Sequence, residues 1–163
     1  MNSSTFITKV STQTKKLGGI LAKEILTPHQ YIGGGQKGAF ILGLKGDLGG
    51  GKTTFLQGFA KGLGIKEKIL SPTFVIMRKF KIPIRANSYS YSSRFAYFYH
   101  IDCYRIAKSK EILNLGFKEI ISNPQNIVAI EWVDKIKNIL PRKKIMLEFE
   151  VIGKNRRKIK IAL

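Results

Sequence analysis

The apolar residues of this chain fall into short blocks, separated by segments in which hydrophobic positions recur with a helical period. Continuous apolar runs occur at 39–44, 96–101 and 127–130, and runs of this length are typical of buried strands. A further strand is predicted within 69–80. Strands that alternate with helical segments predict an α/β fold with a mostly parallel sheet flanked by helices.

The helical period is clearest at 11–26, where Ser11 or Thr12 can cap the N-terminus and Pro28 ends the helix. The predicted apolar face consists of Leu17, Ile20, Leu21 and Ile25. Further helices are predicted from the glycine-rich segment at 46–51 up to Leu63, at 110–121 and at 133–140.

Two parts of the chain depart from this alternation. The segment 78–95 is rich in serine, tyrosine and basic residues without a clear period, which predicts a basic inserted arm or loop. Two alternating runs at 144–152 and 156–163 flank the turn residues 153–155, and they predict a C-terminal β-hairpin. A chain of 163 residues fits a single domain, so we expect 1–163 to form one.

A phosphate-binding motif follows the first apolar run. Gly46, Gly51, Lys52 and Thr53 complete the pattern G-x-x-x-x-G-K-[ST] between a predicted strand and a predicted helix. Glycines let backbone amides curl around phosphates, and the helix N-terminus adds unpaired amides and a positive dipole. Lys52 can meet the β- and γ-phosphates, while the Thr53 hydroxyl can bind magnesium. The motif therefore predicts a P-loop that binds magnesium and a nucleoside triphosphate.

Two carboxylates end apolar runs and are candidates to serve that metal. Asp102 follows 96–101 and Glu131 follows 127–130, so both are expected at the sheet edge where parallel sheets bind ligands. Asp102 suits a magnesium-holding role, and Glu131 can orient or deprotonate a water or complete the metal shell. Trp132 is either core packing or a lid over the site. His100 is predicted to be a packing residue rather than a catalytic base.

The charge and the cysteine count narrow the context. The chain has 29 Lys plus Arg against 10 Asp plus Glu, a net charge of +19. Such a surface attracts polyanions such as RNA, although the excess is spread over the chain and equally fits a solvated, lysine-rich surface. Cys103 is the one cysteine, and no apolar run approaches the roughly 18 residues of a membrane span. We therefore expect a cytoplasmic protein without disulfides.

Four motifs in order resemble those of the TsaE (also called YjeE) family. They are Gly46 to Phe55, Ser71-Pro72-Thr73-Phe74, His100 to Arg105 (H-x-D-x-Y-R) and Ile130-Glu131-Trp132. The Thr14-x-x-Leu17-Gly18 pattern and the basic hairpin also fit, so the resemblance covers nearly the whole chain. The arm at 78–95 is longer and more basic than is usual there. Gly50 stands where alanine is common, and Val133-Asp134 where a small residue and glutamate are common.

This resemblance implies a magnesium-dependent ATPase that is slow alone and acts with the TsaD–TsaB complex. The system threonylcarbamoylates adenosine 37 of tRNAs reading ANN codons. The implied catalytic residues are Glu131, Asp102 and Lys52, and the implied metal-binding residues are Thr53, Glu131 and Asp102. The implied nucleotide-binding residues are Gly46, Gly49, Gly50, Gly51, Lys52, Thr53, Thr54, Thr14, Thr73 and Trp132. Thr73 lies in the switch-like motif, and residues from Ser11 to Thr14 are expected near the adenine.

Other functions stay open at this point. A small-molecule P-loop kinase is the main alternative, since kinases carry an arginine-bearing lid for which the segment from Arg78 to Arg94 can be mistaken. Glu131 followed by Trp132 and the Ser-Pro-Thr-Phe motif argue against it. An RNA-binding module that uses ATP only for stability is a third possibility, since tyrosines and basic residues are plentiful. The residues leave open the oligomeric state, the choice between ATP and GTP, and whether tRNA is contacted directly.

Overall fold

The computed structural model describes residues 3–27, 37–70, 75–83 and 94–162. Its strands are β1 (Ser3–Thr8), β2 (Phe40–Gly46), β3 (Met77–Lys81), β4 (Tyr97–Asp102), β5 (Asn126–Glu131), β6 (Ile145–Val151) and β7 (Arg157–Ala162). Its helices are α1 (Ser11–Leu26), α2 (Lys52–Gly62), α3 (Ser109–Leu113), α4 (Phe117–Ser122) and a 3₁₀ helix over Val133–Ile139. All of these strands belong to one sheet of order β1-β7-β6-β2-β5-β4-β3.

The centre of the sheet is parallel and its edges are antiparallel. Strands β4, β5, β2 and β6 run in the same direction. Strand β3 pairs with β4 in the opposite direction, and β7 joins β6 to β1 by antiparallel pairing. The predicted α/β fold with a C-terminal hairpin is confirmed. Every position of β5 is buried, as expected for a central parallel strand with helices on both faces.

Two hydrophobic clusters fill the two sides of the sheet. On one side, α1 and α2 cover a cluster that includes Phe55, Phe59 and Phe98. On the other side, α3, α4 and the 3₁₀ helix contribute Ile112, Phe117 and Ile136 to a second cluster. Both clusters include side chains of the parallel strands. Packing on both faces of the sheet therefore fixes the positions of the carboxyl ends of these strands.

Helices α1 and α2 approach each other closely through glycines. A β-carbon on Gly18 would lie 2.2 Å from the Phe55 carbonyl oxygen, and one on Gly58 would lie 1.9 Å from the Lys15 carbonyl oxygen. Real β-carbon contacts this short do not occur, so both positions require glycine. The N-terminal end of α1 is thereby held beside the N-terminal end of α2.

The helix predicted at 11–26 is confirmed, but its cap was predicted wrongly and its apolar face was predicted correctly only in part. The residue before the helix is Val10, which makes no side-chain cap, and the Gln13 side chain instead accepts a hydrogen bond from the Lys9 amide. The buried residues are Thr14, Gly18, Ala22 and Ile25. Of the predicted apolar face, Ile25 is buried and Leu17 and Leu21 pack partly buried against the core, whereas Ile20 is 48% exposed. Glycine contacts, rather than an apolar stripe alone, select the face that packs on α2.

Other local predictions also need correction. The single helix predicted at 110–121 is two helices, because Gly116 takes a left-handed conformation with φ 74°. The segment predicted at 133–140 is a 3₁₀ helix interrupted by non-helical angles at Ile136. Strand β1 was not predicted at all. Of the basic arm at 78–95, residues 84–93 lie outside the described ranges, while Phe95 is buried in the core.

Candidate functional site

The predicted phosphate loop joins the carboxyl end of β2 to the N-terminal end of α2. Gly46, Gly49 and Gly51 have φ values of 137°, 73° and 99°, which side chains with a β-carbon rarely adopt. A β-carbon on Gly46 would also lie 2.3 Å from the Phe149 carbonyl oxygen. The loop therefore needs its glycines both for its backbone angles and for its close approach to β6.

Lys52 is held inside this loop. Its Nζ donates hydrogen bonds to the carbonyl oxygens of Gly46 at 2.7 Å and Asp47 at 2.9 Å, and it lies 4.2 Å from the centre of the Trp132 ring. Burial lowers the pKa of Lys52, and the nearby carboxylates, Glu131 first among them, oppose this. The loop thus keeps a desolvated cation where a phosphate can replace the two carbonyl oxygens.

Next to Lys52, the Thr53 hydroxyl points at the predicted acid on β5. It lies 2.8 Å and 3.0 Å from the two carboxylate oxygens of Glu131. Glu131 is buried, and its Oε1 also lies 2.9 Å from Nε2 of His100. The structure therefore brings Thr53 and Glu131 together, although they are 78 residues apart in the chain.

Asp102 lies beside this pair on the neighbouring strand. The register of β4 and β5 places Asp102 opposite Glu131, and its carboxylate is among those that oppose the lowering of the Lys52 pKa. One of its oxygens, Oδ1, accepts a hydrogen bond from the Tyr104 amide at 2.9 Å. Asp102 is thus at the site, with one oxygen bound in the turn that follows β4.

Trp132 sits at the site with unusual backbone angles. In the described part of the chain it is the one residue other than glycine with positive φ, at 56°. Its ring lies under Lys52 and packs against the Tyr104 ring with centroids 5.0 Å apart. Strain of this kind is found at functional sites, and here the indole contacts the phosphate loop through Lys52 while it also packs against the second core cluster.

A cleft of about 300 Å³ opens next to the loop. It is lined by Val10, Ser11, Thr14, Gly49, Gly51, Thr54, Asn155 and Arg157. The predicted residues at the start of α1 therefore do reach the loop. The Thr14 hydroxyl is already 2.8 Å from that of Thr8, so Thr14 offers the cleft its methyl group rather than a free hydroxyl. Gly50 is buried in the loop, and Thr73 lies outside the described residues.

Two residues of the site were missed by sequence reasoning. Arg157 on β7 donates a hydrogen bond from Nε to the Gly49 carbonyl oxygen at 3.1 Å. Its Nη1 donates to carbonyl oxygens of the hairpin turn, including that of Arg156 at 3.0 Å. Nothing distinguishes it in sequence from the other basic residues. His100 is fully buried, as expected for a packing residue, but sequence reasoning missed its polar contact with Glu131. The H-x-D spacing was the available signal, because it places His100 and Asp102 on the same face of one strand.

The oxygen donors at this site suit magnesium. Mg²⁺ prefers oxygen ligands and usually keeps several waters, binding through one or two protein groups and substrate phosphates. Thr53 and Glu131 offer such donors within hydrogen-bonding distance of each other. Within the described ranges, no group of three or more His, Cys, Asp or Glu side chains could hold a metal by itself. The donor set therefore fits a metal shared with a bound nucleotide.

Comparison with known proteins decides the family. The family described as "Threonylcarbamoyl adenosine biosynthesis protein TsaE" matches residues 8–159. The chain belongs to the TsaE family. The match includes the phosphate loop, Asp102, Glu131 and Arg157.

Individual relatives agree with this assignment. The TsaE protein of Bacillus subtilis is 35% identical over 119 residues, which are 73% of this chain and 66% of the relative. That of Rickettsia felis is 35% identical over 146 residues, 89% of this chain and 71% of the relative. The crystal structure of Bacillus subtilis YdiB superposes with a TM-score of 0.70 at 26% identity, covering 98% of this chain and 84% of that one. The chain thus spans about two thirds of the length of the Bacillus relative.

None of the helices in residues 3–27, 37–70, 75–83 and 94–162 is long and apolar enough to cross a bilayer.

Proposed function

We propose that this TsaE family member binds magnesium–ATP in the phosphate loop and hydrolyses ATP slowly. Its turnover would serve the threonylcarbamoylation of adenosine 37 in tRNAs reading ANN codons, in the cytoplasm and together with a TsaD–TsaB complex. The observation that carries the nucleotide part is the Thr53–Glu131 contact beside Lys52 at the start of α2. The pathway follows from the family, whose members carry it in their names.

Phosphate binding follows from the state of Lys52. Its ammonium now satisfies the Gly46 and Asp47 carbonyl oxygens, which are neutral acceptors. A triphosphate offers anionic oxygens instead, which add a direct attraction between opposite charges to the hydrogen bonds of the ammonium. Unpaired amides at the start of α2 add further donors. The exchange of carbonyls for phosphate oxygens would therefore favour binding.

Hydrolysis would depend on the carboxylates. Magnesium, when bound, neutralises charge that develops on the phosphates, and Thr53 and Glu131 would hold it, with Asp102 beside them. Both oxygens of Glu131 already accept hydrogen bonds, from Thr53 and, at Oε1, also from His100. A carboxylate whose oxygens are already engaged in this way is not free to orient an attacking water in the isolated protein. Slow turnover by the isolated protein is the expected result.

The base and sugar would occupy the cleft between α1 and the C-terminal hairpin. The cleft adjoins Gly51 and Thr54, so it continues from the end of the phosphate loop. Arg157 adds a charge at its wall, although its Nε already binds the Gly49 carbonyl. Competition of GTP against ATP would test which base the cleft accepts.

The test is steady-state phosphate release from ATP with magnesium, with and without purified TsaD–TsaB complex. Slow release that needs no acceptor and rises with the partners is expected. Nucleotide binding itself is measured by fluorescence of Trp132, the one tryptophan in the chain. Binding without release under either condition would reject ATPase activity. ADP formation that requires a small-molecule acceptor and releases no inorganic phosphate would favour the kinase.

Lys52→Ala and Lys61→Ala form a matched pair for this assay. Both lysines lie on α2, but Lys61 is exposed and belongs to the far end of the helix. Lys52→Ala should abolish detectable nucleotide binding, whereas Lys61→Ala should bind like the wild type. Normal ATP affinity in Lys52→Ala would contradict the proposed site.

A further inference from the structure

His100 has a polar role inside the core. Its side chain is fully buried on β4, and its Nε2 lies 2.9 Å from Oε1 of Glu131 on β5. The register of the two strands pairs His100 with Ala129, two residues before Glu131, so the ring reaches along the sheet to meet the carboxylate. This contact joins the core to the predicted metal site.

The chemistry of the contact explains why the residue is histidine. A carboxylate offers only acceptors, so the proton of the contact belongs on Nε2. Among the described residues, Nδ1 is buried and has no hydrogen-bond partner. An unpaired buried polar atom is unfavourable whether or not it carries a proton, so an apolar side chain would be the better choice if packing were the only role. What histidine gains here is the bond to Glu131.

Thr53 and His100 both contact Glu131, but they differ in what else they bind. Thr53 donates to Glu131 and, in the proposed function, also faces magnesium, so its hydroxyl must serve two partners when nucleotide is bound. The His100 ring is not a candidate metal ligand and contacts Glu131 from within the core. Its bond does not have to change when nucleotide arrives.

We infer that His100 is a positioning residue that fixes the Glu131 carboxylate for the magnesium–nucleotide site. The inference rests on the proposed function for its link to magnesium, but the bond between His100 and Glu131 can be tested without nucleotide. Ligand groups held by such partners typically lose 10- to 100-fold in metal affinity or activity when the partner is removed.

Two substitutions separate the hydrogen bond from packing. His100→Leu fills a similar volume without a donor, and His100→Gln keeps an N–H near the position of Nε2. Phe98→Leu is the control, because Phe98 is also fully buried on the same face of β4, two residues earlier. It should lower the melting temperature without changing how magnesium affects nucleotide binding.

The first measurement uses the nucleotide-free protein. Thermal unfolding is compared for the wild type, His100→Leu, Glu131→Ala and the double variant. Substitutions of residues in contact usually have non-additive effects on stability. The melting temperature of the double variant should therefore lie about 3 °C or more above the value expected from the sum of the two single shifts. Strictly additive shifts would show that His100 does not hold Glu131, and the inference would fall.

The second measurement is ADP affinity from Trp132 fluorescence, in excess magnesium and in a chelator. Magnesium should raise the ADP affinity of the wild type by a factor that is about tenfold smaller in His100→Leu. In His100→Gln this factor should be within about threefold of the wild-type value. An undiminished gain in His100→Leu overturns the inference. A third outcome is that magnesium does not raise the ADP affinity of the wild type, although the melting temperatures of the nucleotide-free variants are not additive. This outcome would contradict the proposed magnesium site and leave the contact between His100 and Glu131 in place.

Discussion

The helix pair that supports the phosphate loop can be tested with two adjacent glycines of α1. A β-carbon on Gly18 would lie 2.2 Å from the Phe55 carbonyl oxygen and 2.9 Å from the Phe59 amide nitrogen. Both are backbone atoms of α2, which no side-chain rotation can move away. A β-carbon on Gly19 would have its nearest neighbour, the Gly58 carbonyl oxygen, at 3.4 Å, an ordinary contact. Gly18→Ala and Gly19→Ala therefore differ only in whether the helices must separate.

The magnitude follows from two opposing terms. Replacing glycine by alanine within a helix favours folding by about 1 kcal/mol, and this term is common to both variants. Relieving the contact at Gly18 requires a shift of roughly 1 Å between helices, and overpacking of this kind costs about 1–3 kcal/mol or more. Both contacts at Gly18 are with backbone atoms that cannot rotate away, so the upper part of this range applies and the two variants should differ by about 2–3 kcal/mol. For a chain of this length that is a difference of roughly 4–12 °C in melting temperature.

Thermal unfolding followed by circular dichroism measures this difference directly. Gly19→Ala should melt at or slightly above the wild-type temperature, and Gly18→Ala well below it. Gly58→Ala gives an independent check from α2, because its β-carbon would lie 1.9 Å from the Lys15 carbonyl oxygen. Equal melting temperatures for Gly18→Ala and Gly19→Ala would refute the close helix contact.

Three further outcomes are expected. Arg157→Ala should weaken ADP binding about tenfold, because a charge-assisted bond to the Gly49 carbonyl no longer shapes the loop, and unchanged fluorescence titrations would contradict this. Asp102→Asn keeps an acceptor for the Tyr104 amide, so its melting temperature should stay within about 2 °C while phosphate release falls at least tenfold. Burial raises the pKa of Cys103 from 9.0 to about 12, so a thiol reagent at pH 8 should label it only after unfolding. The Cys103 thiol ionises at a lower pH in the unfolded chain than in the folded protein, so the free energy of unfolding should fall as the pH rises above 9. Denaturant titrations at two pH values would measure this change.

The sequence by itself determined the features that depend on neighbouring residues. The phosphate loop is eight consecutive residues whose glycines, lysine and threonine have local reasons to be there. The central strands were visible because strands covered on both faces carry continuous apolar runs, as β5 does. The positions of Asp102 and Glu131 followed, since each acid directly ends such a run. The family resemblance rested on these same short segments, and the family comparison confirmed it.

Secondary structure was less certain where local signals were weak or misleading. Strand β1 is exposed at five of its six positions and pairs with β7 alone, so it lacks the apolar run that marks a buried strand. The cap predicted at Ser11 or Thr12 failed because the preceding turn uses the Gln13 side chain instead. The break at Gly116 was hidden because one glycine is compatible with either a continuous helix or its end.

Only the tertiary structure decided which distant residues meet. The buried face of α1 is set by glycines that allow α2 to come close, and glycine carries no hydrophobic signal. His100 acquires its partner through the register of β4 and β5, and Thr53 acquires the same partner through the placement of α2 over the sheet. Arg157 reaches Gly49 across 108 residues of chain, because the C-terminal hairpin pairs beside β2. Such contacts depend on strand order and register, which are properties of the packed sheet rather than of any local segment.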